Sequence, residues 1–208
     1  MEYKFKHQWF EQNIQNLSNL FGGYQGNPPL NILEIGSLEG KSTVWFLDNL
    51  PNTTITCVDT WEGGVDHDPN NSEINFKEIR ENFDHNIGAF PHRDRVTVLK
   101  MTSYDALIQL YKQGAKFDFI YVDGSHTAID VNADLVMAWK VLKVNGLVYC
   151  DDYLWGFGQE NLDRVPYLDF TYDSPKLGID SWVNVYRNKI RPVIGLQNSA
   201  AVYEKVRE

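Results

Sequence analysis

Short apolar runs alternate with longer amphipathic segments along most of this chain. Four apolar runs come first, at Ile32 to Ile35, Ile55 to Val58, Val96 to Leu99 and Phe117 to Val122, and a fifth covers Leu147 to Cys150. Apolar runs of this length are typical of strands that are buried on both faces. The alternation therefore predicts an α/β fold in which helices cover both sides of a mainly parallel sheet.

Two helices are indicated by the spacing of their apolar residues. The N-terminal one carries Phe10, Ile14, Leu17 and Leu20 on one face, and the turn-forming stretch 22–29 ends it. The clearest helix runs from about Thr127 to Leu142. Thr127 with Asp130 resembles a capping box, and Asn145-Gly146 supplies the stop.

The chain becomes irregular after the fifth strand. The segment 153–177 is long and polar, so we predict that it forms a lid over a substrate. A helix near Ile179 to Arg187 and two further strands, Pro192 to Leu196 and Ala200 to Val206, are predicted after it. We predict one domain over residues 1–208, in which residues 1–30 form an N-terminal helix and a linker.

Composition narrows the classes of partner. Acidic residues outnumber basic ones 28 to 19, and the formal net charge of −9 argues against nucleic acid as a substrate, because it would repel phosphate. Cys57 and Cys150 each lie in a predicted buried strand, which fits unpaired thiols in a reducing, cytoplasmic setting. No export signal or membrane-spanning stretch is expected.

The first predicted strand leads directly into a glycine loop, Gly36-Ser37-Leu38-Glu39-Gly40. An open parallel sheet binds ligands at this position. The loop continues into Lys41-Ser42, but a phosphate-binding P-loop needs four residues between its glycines, and this loop has three. A dinucleotide fingerprint fails as well, because Leu38 and Lys41 stand where it needs glycine.

The remaining pattern, Glu-x-Gly-x-x-x-Gly, resembles motif I of the class I S-adenosylmethionine-dependent methyltransferases. Asp59, about 20 residues further on at the end of the second strand, stands where a carboxylate accepts hydrogen bonds from ribose hydroxyls. The alternative is that Gly36 and Gly40 only close a tight turn and that Asp59 caps a loop. The resemblance implies a cofactor site made of Glu34, Gly36, Ser37, Gly40, Ser42, Asp59, Thr60, Ser103, Tyr104 and Asp123.

Acidic residues follow two more strands that are expected to be neighbours. The fourth strand ends in Asp123-Gly124-Ser125-His126 and the fifth in Asp151-Asp152. Three carboxylates at one edge would raise one another's pKa unless a cation lay between them, and oxygen ligands suit a hard ion such as Mg²⁺. Ordinary loop capping is the simpler explanation for the Asp151-Asp152 pair.

These two motifs resemble the metal-dependent O-methyltransferases that act on macrolide and aminocoumarin sugars. The resemblance implies a Rossmann-like, doubly wound sheet of seven strands, mostly parallel with an antiparallel last strand. It also implies that Asp123, Asp151 and Asp152 bind Mg²⁺ or another divalent cation, and that this ion presents a hydroxyl of a small molecule or sugar. His126 is the preferred general base, because imidazole accepts a proton near neutral pH, although Asp123 is also a candidate.

Several points stay open in the sequence. A cofactor-binding module without catalytic activity, or a nucleotide-binding enzyme that uses Gly40-Lys41-Ser42, would share parts of the pattern. Aromatic residues near strand ends could line an acceptor pocket or belong to the core; they are Trp61, Tyr153, Trp155 and Phe157. The sequence does not identify the acceptor, and it leaves a homodimer open.

Overall fold

The computed structural model describes residues 2–64, 74–91, 93–156, 173–196 and 200–208. Seven strands are present in these ranges: β1 Asn31–Ile35, β2 Thr54–Asp59, β3 Val96–Lys100, β4 Phe117–Val122, β5 Leu142–Cys150, β6 Ile190–Val193 and β7 Ala201–Lys205. They form one sheet with the order β3-β2-β1-β4-β5-β7-β6. Strands β1 to β5 run parallel, and β7 pairs antiparallel with both β5 and β6. The predicted seven-stranded sheet with a reversed last strand is confirmed.

Six α-helices are described: α1 Ile14–Phe21, α2 Lys41–Asn49, α3 Phe76–Ala89, α4 Ser103–Lys112, α5 Ala128–Val141 and α6 Pro175–Tyr186. A 3₁₀ helix, Trp9–Asn13, leads into α1, and another covers Arg93–Arg95. Side chains cap three of the α-helix N-termini, because Asn75, Thr102 and Thr127 each accept a hydrogen bond from a backbone N–H three residues on. The N-cap predicted at Thr127, with the N–H of Asp130 as donor, is confirmed. The other half of the predicted capping box is not formed, because the N–H of Thr127 donates to the hydroxyl of Ser125 and not to Asp130.

The central strands β1, β2 and β4 are buried on both faces, whereas no residue of the edge strands β3 and β6 is buried. Neighbouring residues of one strand enter opposite layers of the core, as Leu33 and Ile32 do. One layer contains α4, α5 and α6, and the other contains the N-terminal helix with α2 and α3. The central strands therefore read as continuous apolar runs, which is the pattern from which the fold class was predicted. The burial predicted for Val96 to Leu99 is wrong, because β3 is an edge strand in which Thr97 and Val98 are exposed.

Three predicted boundaries differ from the structure. Helix α5 ends at Val141 and β5 begins at the next residue, so Asn145-Gly146 does not stop the helix. These two residues lie inside β5, where its register with β4 shifts; Asn145 is left-handed, and a Cβ on Gly146 would lie 2.9 Å from the carbonyl oxygen of Asp118. An Asn-Gly pair marks a left-handed turn and a close approach, and both occur in a bulge as well as at a helix end.

The other two differences are near the C-terminus. Helix α6 begins at Pro175 rather than near Ile179, because proline fits the first turn of a helix, so the predicted lid segment is shorter by its last residues. Strand β6 occupies 190–193 rather than 192–196. The rest of that segment, 157–172, including Phe157, lies outside the described residues. No helix in the described part of the chain is both long and apolar enough to cross a membrane.

The carboxyl ends of the central strands are held in register beyond the strands themselves. The backbone N–H of Gly36 donates to Val58, that of Asp123 to Ile35, and that of Asp151 to Val122. The residues after β1, β4 and β5 are therefore joined by the same ladder that joins the strands. This ladder brings the glycine loop and the aspartates to one edge of the sheet.

Candidate active site

The glycine loop lies directly against the end of β4. Gly36 has a φ of 87°, and a Cβ added to it would lie 1.8 Å from the carbonyl oxygen of Asp123. Gly40, with a φ of 77°, is the N-cap of α2. Only glycine adopts these angles without strain and allows two backbones to approach so closely. The glycines thus join the predicted cofactor loop to the first predicted metal ligand.

Asp59 caps this loop. Its Oδ2 accepts hydrogen bonds from the backbone N–H groups of Ser37 and Leu38, each at 2.9 Å, and its Oδ1 accepts one at 2.7 Å from the N–H of Trp61. A carboxylate has about four lone-pair positions, so roughly one remains for a further donor such as a ribose hydroxyl. The loop-capping alternative is therefore present in the structure, and room for one cofactor contact remains beside it.

Trp61 also supports the glycine loop. Its indole N–H donates to the carbonyl oxygen of Leu38 at 2.8 Å, and its ring packs against Phe83 and beneath the guanidinium of Arg80. Trp61 is buried and has a φ of 53°. It belongs to the core and to the support of the loop, which was one of the two roles left open by the sequence.

Glu34 supports the loop from below. Its side chain is 0% exposed, and its Oε2 accepts hydrogen bonds from the hydroxyls of Ser37 at 2.7 Å and Thr43 at 2.5 Å. Burial raises the pKa of Glu34, and the hydroxyl donors around it, Ser42 first, oppose that rise. Ser37 and Ser42 are buried too. Glu34 therefore holds the loop through Ser37 and the start of α2 through Ser42 and Thr43.

The remaining predicted cofactor residues lie at the ends of β2 and β3. Thr60 is partly exposed, and its hydroxyl accepts a hydrogen bond from the N–H of Glu62. Ser103 begins α4 and hydrogen-bonds to the carboxyl of Asp134 on α5. Tyr104 is 58% exposed. Thr60 and Tyr104 are thus accessible to solvent at the carboxyl ends of β2 and β3.

The buried carboxyl of Asp134, which hydrogen-bonds to Ser103, is expected to make the stability of the protein depend on pH. It is 4% exposed, and burial raises its pKa to about 7. A carboxyl with a raised pKa binds more protons in the folded than in the unfolded state, so the free energy of unfolding falls as pH rises from about 4 to about 7. We expect Asp134→Asn to raise that free energy by about 2 kcal/mol at pH 8 and to change it little at pH 4.

Chemical denaturation of both proteins at the two pH values measures this difference. Asp94→Asn, at an exposed position in the second 3₁₀ helix, is the control and should leave the pH dependence as it is. Equal pH slopes for wild type and Asp134→Asn would show that burial of this carboxyl does not influence stability.

Three of the predicted catalytic and metal-binding residues converge. Asp123, His126 and Asp152 each offer a ligand atom, and these atoms lie within 4.8 Å of one another. The Nε2 of His126 is 3.1 Å from the Oδ2 of Asp152. All three side chains are partly buried, and the ring of Trp155 lies 4.5 Å from the imidazole ring. The group therefore combines two carboxylates and an imidazole, with an aromatic ring beside the imidazole.

Asp151 lies beside this group but is oriented differently. It is 8% exposed, and its Oδ2 accepts hydrogen bonds from Asn13 Nδ2 at 2.5 Å and from the hydroxyl of Tyr121 at 2.6 Å. Its Oδ1 accepts one from the N–H of Asp152 at 2.8 Å. The structure thus does not bring a ligand atom of Asp151 into the group formed by Asp123, His126 and Asp152.

Asp123 and Asp151 are harder to ionise than free carboxyl groups. Burial, followed by the charges of Asp151 and Asp152, raises the pKa of Asp123 well above its usual value. The pKa of Asp151 is raised to about 6, by burial and then by the charge of Asp152. Such an arrangement is stabilised by a cation, and for Asp123 the charge of His126 and a hydrogen bond from Tyr121 offset part of the rise in pKa.

The N-terminal segment contacts both halves of the site, which the sequence analysis did not predict. On the loop side, Glu39 Oε2 accepts hydrogen bonds from the N–H groups of Lys6 and His7. On the other side, Asn13 reaches Asp151. Asn13 follows Phe10 by three residues, on the apolar face of the predicted helix. A polar residue on a buried face was the signal in the sequence that could have identified it.

Comparison with known families and structures bears on this site. Residues 33–153, more than half of the chain, match a family model described as a methyltransferase domain. No curated protein matches the sequence. Many solved structures match in fold.

Three of these structures illustrate the similarity. An O-methyltransferase from Bacillus cereus in complex with SAH is 19% identical, with a TM-score of 0.62 over 97% of this chain and 83% of that one. TomG, an O-methyltransferase from Streptomyces achromogenes involved in tomaymycin synthesis, in complex with SAM, is 16% identical, with a TM-score of 0.61 over 94% and 79%. MycE, a methyltransferase of the mycinamycin pathway in complex with Mg, SAH and mycinamycin VI, is 16% identical, with a TM-score of 0.60 over 99% and 51%.

Proposed function

Because this chain belongs to the methyltransferase domain family, we propose that it transfers a methyl group from S-adenosylmethionine to a hydroxyl of a small molecule or sugar, with the help of a divalent cation. The observation that carries the proposal is the contact between the two halves of the site. Gly36, in the cofactor loop, lies against the backbone of Asp123, whose side chain belongs to the Asp123, His126 and Asp152 group. A methyl donor and an acceptor would then meet across one short distance.

The residues present fit a hard divalent cation. Carboxylates and one imidazole converge from two neighbouring strand ends, and burial together with mutual repulsion raises the pKa of Asp123. The proposed ligands are Asp123, Asp151 and Asp152. Asp151 accepts three hydrogen bonds, two of them on Oδ2, so a lone pair is left on Oδ1 beside Asp152. MycE, one of the structures with a similar fold, was determined with Mg and SAH.

The loop residues fit the cofactor. Asp59 keeps about one lone pair for a hydroxyl, while its other contacts hold the backbone of Ser37 and Leu38 in place. Gly36 lets the loop lie against the backbone of Asp123, and Gly40 leads the loop into α2. Complexes with SAH or SAM are known for the similar folds from Bacillus cereus and Streptomyces achromogenes. We propose that Glu34, Ser37 and Ser42 act by holding this loop in place, since they are buried and their side chains hydrogen-bond to one another.

Each residue has a distinct role in the proposed reaction. When bound, S-adenosylmethionine supplies the methyl group and the cation supplies Lewis-acid polarisation of the acceptor hydroxyl. With its Nε2–H donating to Asp152 Oδ2 at 3.1 Å, the imidazole of His126 takes the hydroxyl proton on its other nitrogen, Nδ1. Asp152 orients the imidazole and stabilises it once it is protonated. Trp155, whose ring lies 4.5 Å from that of His126, limits the positions of the acceptor.

The nucleotide-binding alternative loses its main support in the structure. A P-loop lysine must reach a phosphate. Here the ammonium of Lys41 is held by Glu11 at 2.7 Å and by the side-chain carbonyl of Gln8. Both partners lie in the N-terminal segment, so the lysine is part of the contact between that segment and the loop.

A methyl-transfer assay with His126→Ala tests the proposal. Wild-type protein with S-adenosylmethionine, Mg²⁺ and a panel of catechol and sugar acceptors should give a product heavier by one methylene, and chelation of the metal should abolish it. Loss of a general base lowers kcat by about 10²- to 10⁴-fold, and we expect this for His126→Ala. Mass spectrometry of the products measures both effects.

His85→Ala is the matched control, because His85 lies on α3 and contacts the carbonyl oxygen of Glu2 rather than the carboxylates. It should retain most of the activity. Thermal stabilisation by ATP but not by S-adenosylhomocysteine would contradict the proposed function, because a ligand that binds the folded state raises its apparent stability. Full activity in the presence of the chelator would contradict the part that concerns the metal.

A further inference from the structure

The N-terminal helix contributes a buried amide to the carboxylate site. Asn13 is 1% exposed, and its Nδ2 donates to Asp151 Oδ2 at 2.5 Å and to the Tyr121 hydroxyl at 3.2 Å. Its Oδ1 accepts a hydrogen bond from the hydroxyl of Tyr149 at 2.6 Å. Tyr121 lies on β4, Tyr149 lies on β5, and Asp151 directly follows β5. Each of these partners is more than 100 residues away from Asn13 along the chain.

The hydrogen-bond chemistry fixes the direction of this amide. An ionised carboxylate only accepts hydrogen bonds, so the amide must turn its NH₂ group towards Asp151. Its oxygen then faces Tyr149, which donates. Tyr121 donates to the same Asp151 Oδ2 at 2.6 Å, so this oxygen has two donors from two different elements. The orientation of the Asp151 carboxylate is therefore set from behind by Asn13 and Tyr121.

Asp151 passes this constraint on to the neighbouring residue. With Oδ2 held, Oδ1 accepts the backbone N–H of Asp152 at 2.8 Å. Asp152 has a φ of 53°, a left-handed conformation that is unfavourable for residues other than glycine and needs support from its surroundings. The bond from Asp151 is such a support, and Asp152 in turn lies 3.1 Å from His126.

We propose that Asn13 is a positioning residue that holds Asp151, and through it the Asp152 turn, in the arrangement that binds the divalent cation. This inference rests on the proposed function, since it concerns the metal of that site. It assigns to the N-terminal segment a part in the site, and it predicts that removal of one amide far along the chain weakens metal binding. Asn13 itself does not contact the substrate in this proposal.

Binding of Mg²⁺ to the full-length chain saturated with S-adenosylhomocysteine, measured by isothermal titration calorimetry, tests it. Loss of the support around a metal ligand typically costs 10- to 100-fold in affinity, and we expect about 10-fold for Asn13→Ala. The affinity for S-adenosylhomocysteine, measured without metal, should stay within about twofold. A purely structural role would lower the thermal midpoint and leave the affinity for Mg²⁺ unchanged.

Asn16→Ala is the matched control. Asn16 is a buried asparagine of α1, the helix that directly follows Asn13, and its amide donates to the Tyr149 hydroxyl at 3.4 Å. We expect the Mg²⁺ affinity of this variant to stay within about twofold. Combining Asn13→Ala with Asp151→Ala should add no further loss to that of Asp151→Ala, because coupled residues are non-additive.

The possible outcomes separate the two proposals. If wild type binds no Mg²⁺, the metal in the proposed function is refuted, and the role of Asn13 with it. If wild type binds Mg²⁺ and Asn13→Ala binds it equally well, only the role of Asn13 is refuted. Should Asn13→Ala not fold, Asn13→Ser, which keeps a small polar group, serves in its place and is expected to show the same direction of change.

Discussion

Replacement of Gly36 by alanine is expected to weaken cofactor binding and to destabilise the fold. The new Cβ would lie 1.8 Å from the carbonyl oxygen of Asp123, and backbone atoms cannot yield as a flexible side chain does. The φ of 87° adds strain for any residue with a Cβ. Overpacking and strain together correspond to about 2–5 kcal/mol, so we expect the free energy of unfolding to fall by that amount.

The loop and the end of β4 must separate to accommodate the methyl group, and this displaces the backbone of Ser37 and Leu38 from Asp59. We therefore expect the affinity for S-adenosylhomocysteine to fall by about 100-fold, or about 2.7 kcal/mol. Calorimetric titration measures the affinity, and denaturation measures the stability. An affinity within twofold of wild type would show that the close contact between the two halves is dispensable.

Gly88→Ala provides the control for this substitution. Gly88 lies inside α3, where a Cβ would meet nothing within 4 Å. Alanine is preferred over glycine in a helix by roughly 1 kcal/mol, so this variant should be slightly more stable than wild type and should bind the cofactor normally. The two glycine substitutions thus have opposite expected signs, for reasons that lie only in their surroundings.

Replacement of Asp123 by alanine is expected to remove both metal binding and methyl transfer. Asp123 is common to the converging group and to the contact with the glycine loop. Lewis-acid stabilisation of a transition state amounts to several kcal/mol, and at 1.36 kcal/mol for each tenfold this corresponds to a loss of about 10³-fold in kcat/KM. Calorimetry with Mg²⁺ and a methyl-transfer assay measure the two effects.

The stability of a second variant, Asp123→Asn, gives a further test. Because Asp151 and Asp152 oppose the ionisation of Asp123, the uncharged Asp123→Asn should unfold at no lower temperature than wild type when metal is absent. Asp94→Ala, which removes an exposed carboxylate, is the control and should keep its activity. Methyl transfer at the wild-type rate by Asp123→Asn would exclude this carboxylate from the metal site.

The sequence predicted the fold because the fold depends on short-range patterns. The central strands are continuous apolar runs that can be recognised in the sequence, and the cap at Thr127 is formed by residues three positions apart. Prediction failed where the same residue pattern occurs in two different local structures. The Asn145-Gly146 pair marks a bulge in β5, and the same residue types would also end a helix.

The candidate site was predicted in part for the same reason. Glycine spacing and strand-end carboxylates place Gly36, Asp59, Asp123 and Asp152 at one edge of a parallel sheet, since the carboxyl ends of its strands lie together. The order of the strands then decides which residues meet. Asp123 and Asp152 converge with His126 because β4 and β5 are neighbours.

Only the tertiary structure decided how the carboxylates are oriented. Asp59 turns its oxygens to the N–H groups of the loop, and Asp151 turns Oδ2 to Asn13 and Tyr121. These partners come from distant parts of the chain, and a residue pattern does not encode the direction of a side chain. The sequence by itself determined a methyltransferase-like sheet with a glycine loop and acidic strand ends. Packing of the N-terminal helix against that sheet decided which oxygens are held and which remain available, because a buried carboxylate orients towards whichever donors surround it.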